Sequence, residues 1–443
     1  MSVRNTVGEM RTFILIWSGQ LVSLLGSGLT SFGLGVWVYQ QTGSATKFAL
    51  IALFSTLPGI IAAPFAGAIS DRWDRRRMLI TCDLGAGLST LVIALLLYVG
   101  RLEVWHIYII VAVKSLFSIS QGPAYAAATT LLVPKRHLGR ASGMVQFSEA
   151  VGQIAAPILA VILIATIQLW GVIFVDFATF LFAVVVLLST QIPRVPTALR
   201  EGVARRSLLH DVVYGWSYIT TRPGLFGLLV FFGVSNFLTG FIFVLSAPLV
   251  LSFTSAAVLG KILSVGGCGF LAGSLVMTVW GGPRRRVYGV LGFYLLAGFC
   301  IILMGYRPSA ILIGSASFFV SFSLPIIIGS SQAIWQSKVA LDVQGRVFAV
   351  RRMIAWSSAP LAYLVAGPLA DRVFEPLLAT HGALAATVGQ LIGVGRGRGI
   401  GLLYLVVGSC IVLAVSAAYL YPRLRHVEDE LSDVIGDKAL VGS

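Results

Sequence analysis

Among the ionisable side chains inside long apolar runs of this chain are Asp83, Lys114, Glu149 and Asp176. Glu149 falls about eight residues into its run, roughly 12 Å along a helix. A lone charge at mid-bilayer costs about 2.5–3.5 kcal/mol even on the lenient insertion scale. A carboxylate there must face a polar cavity, hold a cation or take up a proton. Two roles follow for Glu149: a proton-coupling group, or a structural partner for Lys114, at comparable depth in the preceding run. Asp83 lies nearer one end of its run, where it could pair with a basic loop. Asp176 could hydrogen-bond near the head of its helix, and direct proton coupling stays open for both.

A second set of residues could bind rather than titrate. Gln20, Ser23, Ser27 and Ser31 recur at spacings of three and four, which lines polar atoms along one helix face toward a central pathway. Asn236 and Gln332 are candidate cavity donors, although buried amides also glue helices together. Cys82, Cys268, Cys300 and Cys410 lie far apart in apolar stretches and read as small packing residues. The five histidines form no ligand cluster. The chain has no nucleophile–base–orienter set and no ATP-binding loop, so neither an enzyme, an ATP-driven pump, a metal nor a cofactor is expected.

The elements that must position these residues are set by composition. Of 443 residues, 57% are hydrophobic and 11% charged, and the mean hydropathy is +0.91; a soluble protein of this length shows far more surface charge. A bilayer core about 30 Å thick needs roughly 20 apolar residues in a helix. Such runs occur at about 12–39, 45–69, 77–99, 104–130, 141–165 and 169–190, and again at about 223–251, 256–280, 287–305, 308–334, 347–370 and 399–421. The expectation is an all-α membrane protein of twelve transmembrane helices, numbered here as spans one to twelve. Its parts are a six-helix bundle at 1–190, a linker at 191–222, a second six-helix bundle at 223–421 and a tail at 422–443.

Charge placement predicts orientation. Arginines and lysines crowd the loops after the even-numbered spans, among them Arg72, Arg75, Arg76, Lys135, Arg205, Arg284 and Arg346. By the positive-inside rule these loops and both termini face the cytoplasm, in a bacterial inner membrane. The formal charge of +15 alternates with the spans instead of gathering in one domain, so membrane lipids rather than nucleic acid account for it. In the linker, 207–218 carries apolar residues at helical spacing and reads as an amphipathic helix along the cytoplasmic face. The apolar part of the loop at 372–398, residues 381–392, reads as an external surface helix, followed by a flexible glycine run at 393–399.

An internal repeat supports duplicated halves. Gly139-Arg140 before span five matches Gly345-Arg346 before span eleven, and Gly67 with Arg75–Arg77 matches Gly273 with Arg284–Arg286. Parallel halves about a membrane-normal pseudo-twofold axis recur in transporters.

These features resemble the major facilitator superfamily over nearly the whole chain. That family carries a loop of the form Gly-x-Leu-Ala-Asp-Arg-x-Gly-Arg-Arg between spans two and three. Gly67, Asp71, Arg72, Arg75 and Arg76 occupy its positions here, with Ile69, Ser70 and Asp74 as departures. In the second half Met277 stands where the aspartate would be, so the ionic latch is expected only in the first half. The resemblance implies that Arg351 and Arg352, just inside span eleven, neutralise Asp71 when the cytoplasmic side is closed; lipid snorkelling is the alternative for at least one of them. Trp17-Ser-Gly-Gln20, Trp280-Gly-Gly-Pro-Arg284 and Gly367-Pro-Leu-Ala-Asp-Arg372 are most similar to the bacterial exporter branch containing macrolide and enterobactin efflux proteins. A fifth-span antiporter pattern is partly kept, with Gly152 and Pro157 present and Ala156 and Ala160 in place of glycines.

The resemblance implies two pseudo-symmetric bundles working by alternating access as a functional monomer. The expected cargo is a hydrophobic or amphipathic small molecule such as a drug, macrolide, siderophore or peptide-like metabolite, exported against protons. A lysophospholipid transporter or flippase of the same fold is the first alternative. A non-transporting membrane receptor or assembly factor is the second.

Overall fold

The computed structural model describes residues 10–72, 74–133, 138–190, 208–339 and 343–430, and among them there is no strand. Helices are the necessary outcome of such apolar runs, because lipid offers no partner to a backbone N–H or C=O. The first half contains Arg11–Thr42, Ala45–Arg72, Arg75–Tyr98, Val104–Leu132 and the 52-residue stretch Leu138–Ser189. That last stretch is interrupted at Gln168, whose φ of 59° and ψ of 178° break the helix into arms at 138–167 and 169–189. The arms are spans five and six. The second half contains Pro223–Leu251, Ala256–Trp280, Arg286–Tyr306, Ala310–Lys338, Gln344–Leu369 and Arg398–Leu420. With the two arms counted separately, the described residues hold twelve helices of 21 or more residues in the expected order.

Two compact units emerge: Met1–Gly202 with Ser255–Ser264, and Val203–Thr254 with Val265–Ser443. In the first, span one packs on spans five and six, span two on span four, and span three on spans four and six. The second repeats this pattern, with span seven on spans eleven and twelve and span nine on spans ten and twelve. Span eight meets span ten through glycines: a Cβ on Gly269 or Gly273 would overlap the carbonyl oxygen of Phe318 or Phe322. Gly273 therefore serves helix packing, whatever its likeness to Gly67 in the repeat. Cys82 is buried in a cluster with Ile16, Leu79 and Leu187, in keeping with a packing role.

The linker helix runs Leu208–Thr220 and packs against spans eleven and seven. Gly215 and Ile219 are buried on that side, while Val213 and Trp216 are exposed.

The loop after span eleven departs from expectation in two ways. Span eleven continues through a π-turn, Ala370–Phe374, and one further turn, Glu375–Leu377. Only Val388–Ile392 of the expected surface helix is helical. The chain before it is drawn back onto the end of span eleven, where Leu384 N–H donates to the Leu377 carbonyl at 3.0 Å. The glycine run is held rather than flexible: the Glu375 carboxylate accepts from Gly397 N–H at 2.7 Å and Gly399 N–H at 3.2 Å. It thereby caps the open N-terminus of span twelve, where negative charge is favoured. Gly397 adopts a φ of +79°, and a Cβ on Gly399 would overlap the Glu375 backbone.

This cap gives a pH prediction. Burial pushes the Glu375 carboxyl up from its ordinary value of 4.5, Asp371 adds to the rise, and Gly397, Gly399 and Arg398 oppose it. The folded protein thus holds this proton more tightly than the unfolded chain. Its stabilising contribution is complete below the ordinary value and is lost as pH rises through the raised one. Thermal unfolding in detergent should show this loss in the parent protein and lack it in Glu375→Gln; coincident pH profiles would refute the assignment.

Candidate functional site

Spans three and four each carry two polar residues seven apart, Asp83 with Thr90 and Lys114 with Gln121. Seven residues is close to two helical turns, so each pair shares a helix face. Antiparallel packing sets Asp83 opposite Gln121 and Thr90 opposite Lys114. Both meetings are seen. Gln121 Nε2 donates to Asp83 Oδ1 at 2.7 Å and to Gln20 Oε1 at 2.9 Å, and Gln20 Nε2 donates to Asp83 Oδ2 at 2.9 Å. Three spans are joined by this closed triangle around a carboxylate that is 1% exposed. Two amides hold the Asp83 carboxylate between helices; the side chains of Arg72 and Arg75 in the basic loop lie outside the described residues.

Lys114 is the centre of the second cluster. Its Nζ lies 3.4 Å from Asp176 Oδ2 and 3.5 Å from the Thr90 hydroxyl, and it sits over the Phe180 ring at 4.9 Å from the centroid. Asp176 is fully buried, with Oδ1 lacking a hydrogen-bond partner among the described residues. Gly26 of span one makes room for it: a Cβ there would lie 2.8 Å from Asp176 Oδ1 and 3.1 Å from its Cα. The partner considered for Lys114 was Glu149; the structure supplies Asp176 instead, since the 169–189 arm faces spans one and three. The local bond expected of Asp176 is made by its carbonyl, which accepts from the Thr179 hydroxyl at 2.6 Å.

Glu149 stands apart from both clusters and is exposed on the 138–167 arm. Along span one the polar row is unevenly placed, with Ser23 buried, Gln20 and Ser27 half-buried and Ser31 exposed. Asn236 is half-buried in span seven.

In the second unit Gln332 and Arg351 come together. Arg351 Nη1 donates to Gln332 Oε1 at 2.9 Å and Nη2 to the Ser331 hydroxyl at 3.0 Å, with the guanidinium carbon 5.3 Å from the buried Trp335 ring. Gln332 thus acts here as an acceptor for a cation. Among the latch residues, the side chains of Asp71, Arg72, Arg75 and Arg352 lie outside those described, as do the surroundings of Gly67. Arg76 is described, and it caps span six: Nε and Nη2 donate to the carbonyls of Leu187 and Leu188 at 3.0 and 2.6 Å. The last carbonyls of a helix have no partners of their own and attract a cation.

Gln121, Thr90 and Ser331 were not singled out from the sequence. The signal for the first two was the matched spacing of seven in adjacent spans.

Comparisons with known proteins agree on one group. The model of the Major Facilitator Superfamily matches residues 16–363. "Macrolide efflux protein A" of Streptococcus pyogenes is 26% identical over 372 residues, covering 82% of this chain and 90% of that protein. "Multidrug efflux pump Tap" of Mycolicibacterium fortuitum is 24% identical, covering 81% and 89%. Among solved structures, a bacterial homologue of the human lysosomal transporter Spinster superposes with a TM-score of 0.66 at 14% identity, covering 95% of this chain and 98% of that one. A D-xylose–proton symporter gives 0.65 at 16% identity, covering 94% and 97%. At these identities the structures establish the fold alone.

Proposed function

The chain belongs to the Major Facilitator Superfamily, and on that premise we propose that it is a secondary active exporter of a moderately hydrophobic organic compound, working by proton antiport and alternating access. It acts as a monomer in a bacterial inner membrane with both termini in the cytoplasm. The observation that carries this reading is the separation of acidic roles in the first unit. Asp83 and Asp176 are buried and already partnered, whereas Glu149 is exposed on a membrane-crossing helix. A charge is too costly against lipid tails, so Glu149 belongs on a water-lined face, where a proton can reach it. The efflux names of the relatives support the direction of transport and the cargo class.

Proton binding drives export only if protons and cargo differ in affinity for the two conformations. Glu149 is the group proposed to carry that difference, with Gln20, Ser27, Ser31 and Asn236 as cargo contacts. Asp71 with Arg72, Arg75 and Arg352 is proposed to hold the cytoplasmic side closed.

Inside-out vesicles loaded with this protein should accumulate a labelled macrolide when their interior is acidified. Glu149→Gln should lose gradient-driven accumulation yet keep exchange of the same label, and Asp71→Asn should keep coupling with slower turnover. Full gradient-driven accumulation in a folded Glu149→Gln protein removes Glu149 from the coupling role. Saturable movement of labelled lysophospholipid without macrolide movement reverses the assignment of cargo.

A further inference from the structure

We propose that the arginine-rich end of spans nine and twelve is a binding site for an anionic glycerophospholipid, its phosphate held between Arg285 and Arg425 with Tyr288 and Tyr419 beneath. Arg285 is the N-cap of span nine, Arg286–Tyr306, and Tyr288 is in its first turn. Tyr419 is in the last turn of span twelve, and Arg425 ends the short helix Pro422–Arg425 that follows. The two spans pack antiparallel, which brings both pairs to one end. The tyrosine ring centroids are 6.4 Å apart. Arg285 lies over Tyr288 at 5.9 Å and Arg425 over Tyr419 at 5.5 Å.

Three observations point to a lipid as the occupant. First, both tyrosines are exposed beside rows of exposed apolar residues. On span nine the row runs Tyr288, Gly292, Leu296, Phe299 and Leu303; span twelve exposes Val406, Leu413 and Leu420 on the face next to that of Tyr419. Gly292 is exposed, and a Cβ there would meet nothing within 4 Å, so the row has a shallow groove for an acyl chain directly below the tyrosines. Secondly, tyrosine is the side chain suited to the headgroup level, apolar below and polar above. Thirdly, the charge there is predominantly positive. Arg284, Arg285, Arg286, Arg423 and Arg425 stand against Glu428, Asp429 and Glu430.

Glu428 and Asp429 do not fill the site. Glu428 is turned inward, accepting from the backbone N–H groups of Arg286 and Val287 at 3.2 and 3.0 Å. Asp429 lies 3.8 Å from Arg285 with both side chains 56% exposed, a weak pair that a lipid phosphate can displace. His426 is 3.4 Å from Asp429 and accepts from Arg425 Nε at 3.2 Å; the latter bond leaves the two terminal nitrogens of Arg425 to point at a phosphate. Guanidinium and phenol donors then converge on phosphate oxygens, for which arginine's planar fork is suited.

The test uses the purified full chain in detergent, titrated separately with phosphatidylglycerol, phosphatidylcholine and inorganic phosphate. A lipid that binds only the folded state raises the unfolding temperature. Phosphatidylglycerol should raise it well beyond phosphatidylcholine, and Arg285→Gln with Arg425→Gln should shift the half-maximal lipid concentration upward about thirtyfold, from two cations near an anionic surface. An unshifted titration in the double variant overturns the proposal, and so does an equal response to inorganic phosphate, which would mark a free-anion site. Should the double variant not fold, phosphatidylglycerol carrying a photoreactive headgroup decides the matter on the parent protein. Crosslinks in 284–288 and 419–425 support the site, and crosslinks elsewhere refute it.

Discussion

Lys114→Met should unfold the first bundle at a markedly lower temperature than the parent protein. The substitution keeps the length of the side chain and removes its charge, leaving Asp176 fully buried with, among the described residues, only the Thr90 hydroxyl bonded to Oδ2 at 3.4 Å. Breaking a buried pair by removing one partner costs about 3–5 kcal/mol, because the remaining charge is uncompensated. The lower end applies, since the Lys114 side chain keeps 19% exposure against none for Asp176. For a unit of this size roughly 3 kcal/mol corresponds to about 6–12 °C in melting temperature. Combining Lys114→Met with Asp176→Asn should restore most of that loss, as removal of both charges ends the desolvation cost of each. Thermal unfolding of the two single variants and the double completes the cycle. A single variant that melts with the parent, or a double variant that loses the sum of the singles, would show that the two groups do not act as a pair.

The second large effect belongs to the other unit. Gly273→Ala should separate spans eight and ten, because the added methyl would overlap the Phe322 carbonyl oxygen. A backbone atom in a packed helix cannot turn aside as a side chain can. Overpacking of this kind costs about 1–3 kcal/mol, and Gly269→Ala, one turn away against Phe318, should act on the same interface and not add independently. Gly292→Ala, in detergent without added lipid, is the control. Nothing lies within 4 Å of a Cβ there, so the gain in helix propensity, about 0.5–1 kcal/mol, should prevail. The expected order of melting temperatures is Gly292→Ala highest and Gly273→Ala lowest; a Gly273→Ala protein as stable as the parent would remove the close approach from the account.

Much of the fold was legible from the chain because membrane insertion is close to a one-dimensional criterion. Twelve apolar runs of sufficient length, separated by charge and proline, marked twelve helices. The repeat of glycine and arginine at an offset of just over 200 residues foreshadowed the same packing partners in both halves. The site was legible only as a set of residue types. Asp83, Lys114, Asp176, Gln20, Gln332 and Arg351 were each singled out, and every one is engaged by a partner that spacing alone left open. Asp83 takes two amides, Lys114 takes Asp176, and Gln332 takes Arg351. Arg76, read with its loop, also caps span six. The glycine run before span twelve read as flexible, and a carboxylate 22 residues earlier holds it.

What the sequence by itself determined is the solvent, the number of helices and the cost of each buried charge. Those follow from composition and length, since hydrocarbon demands internally bonded backbone and penalises ions wherever they fall. Which ions meet is decided by rotation and register, and these are fixed by packing between residues far apart in the chain. Gly26 admits Asp176 to the interior; Thr90 and Lys114 meet because spans three and four lie antiparallel in one register among many. A shift of one residue in an α-helix turns a side chain by about 100°, enough to part Lys114 from Asp176. Only the tertiary structure decides that angle.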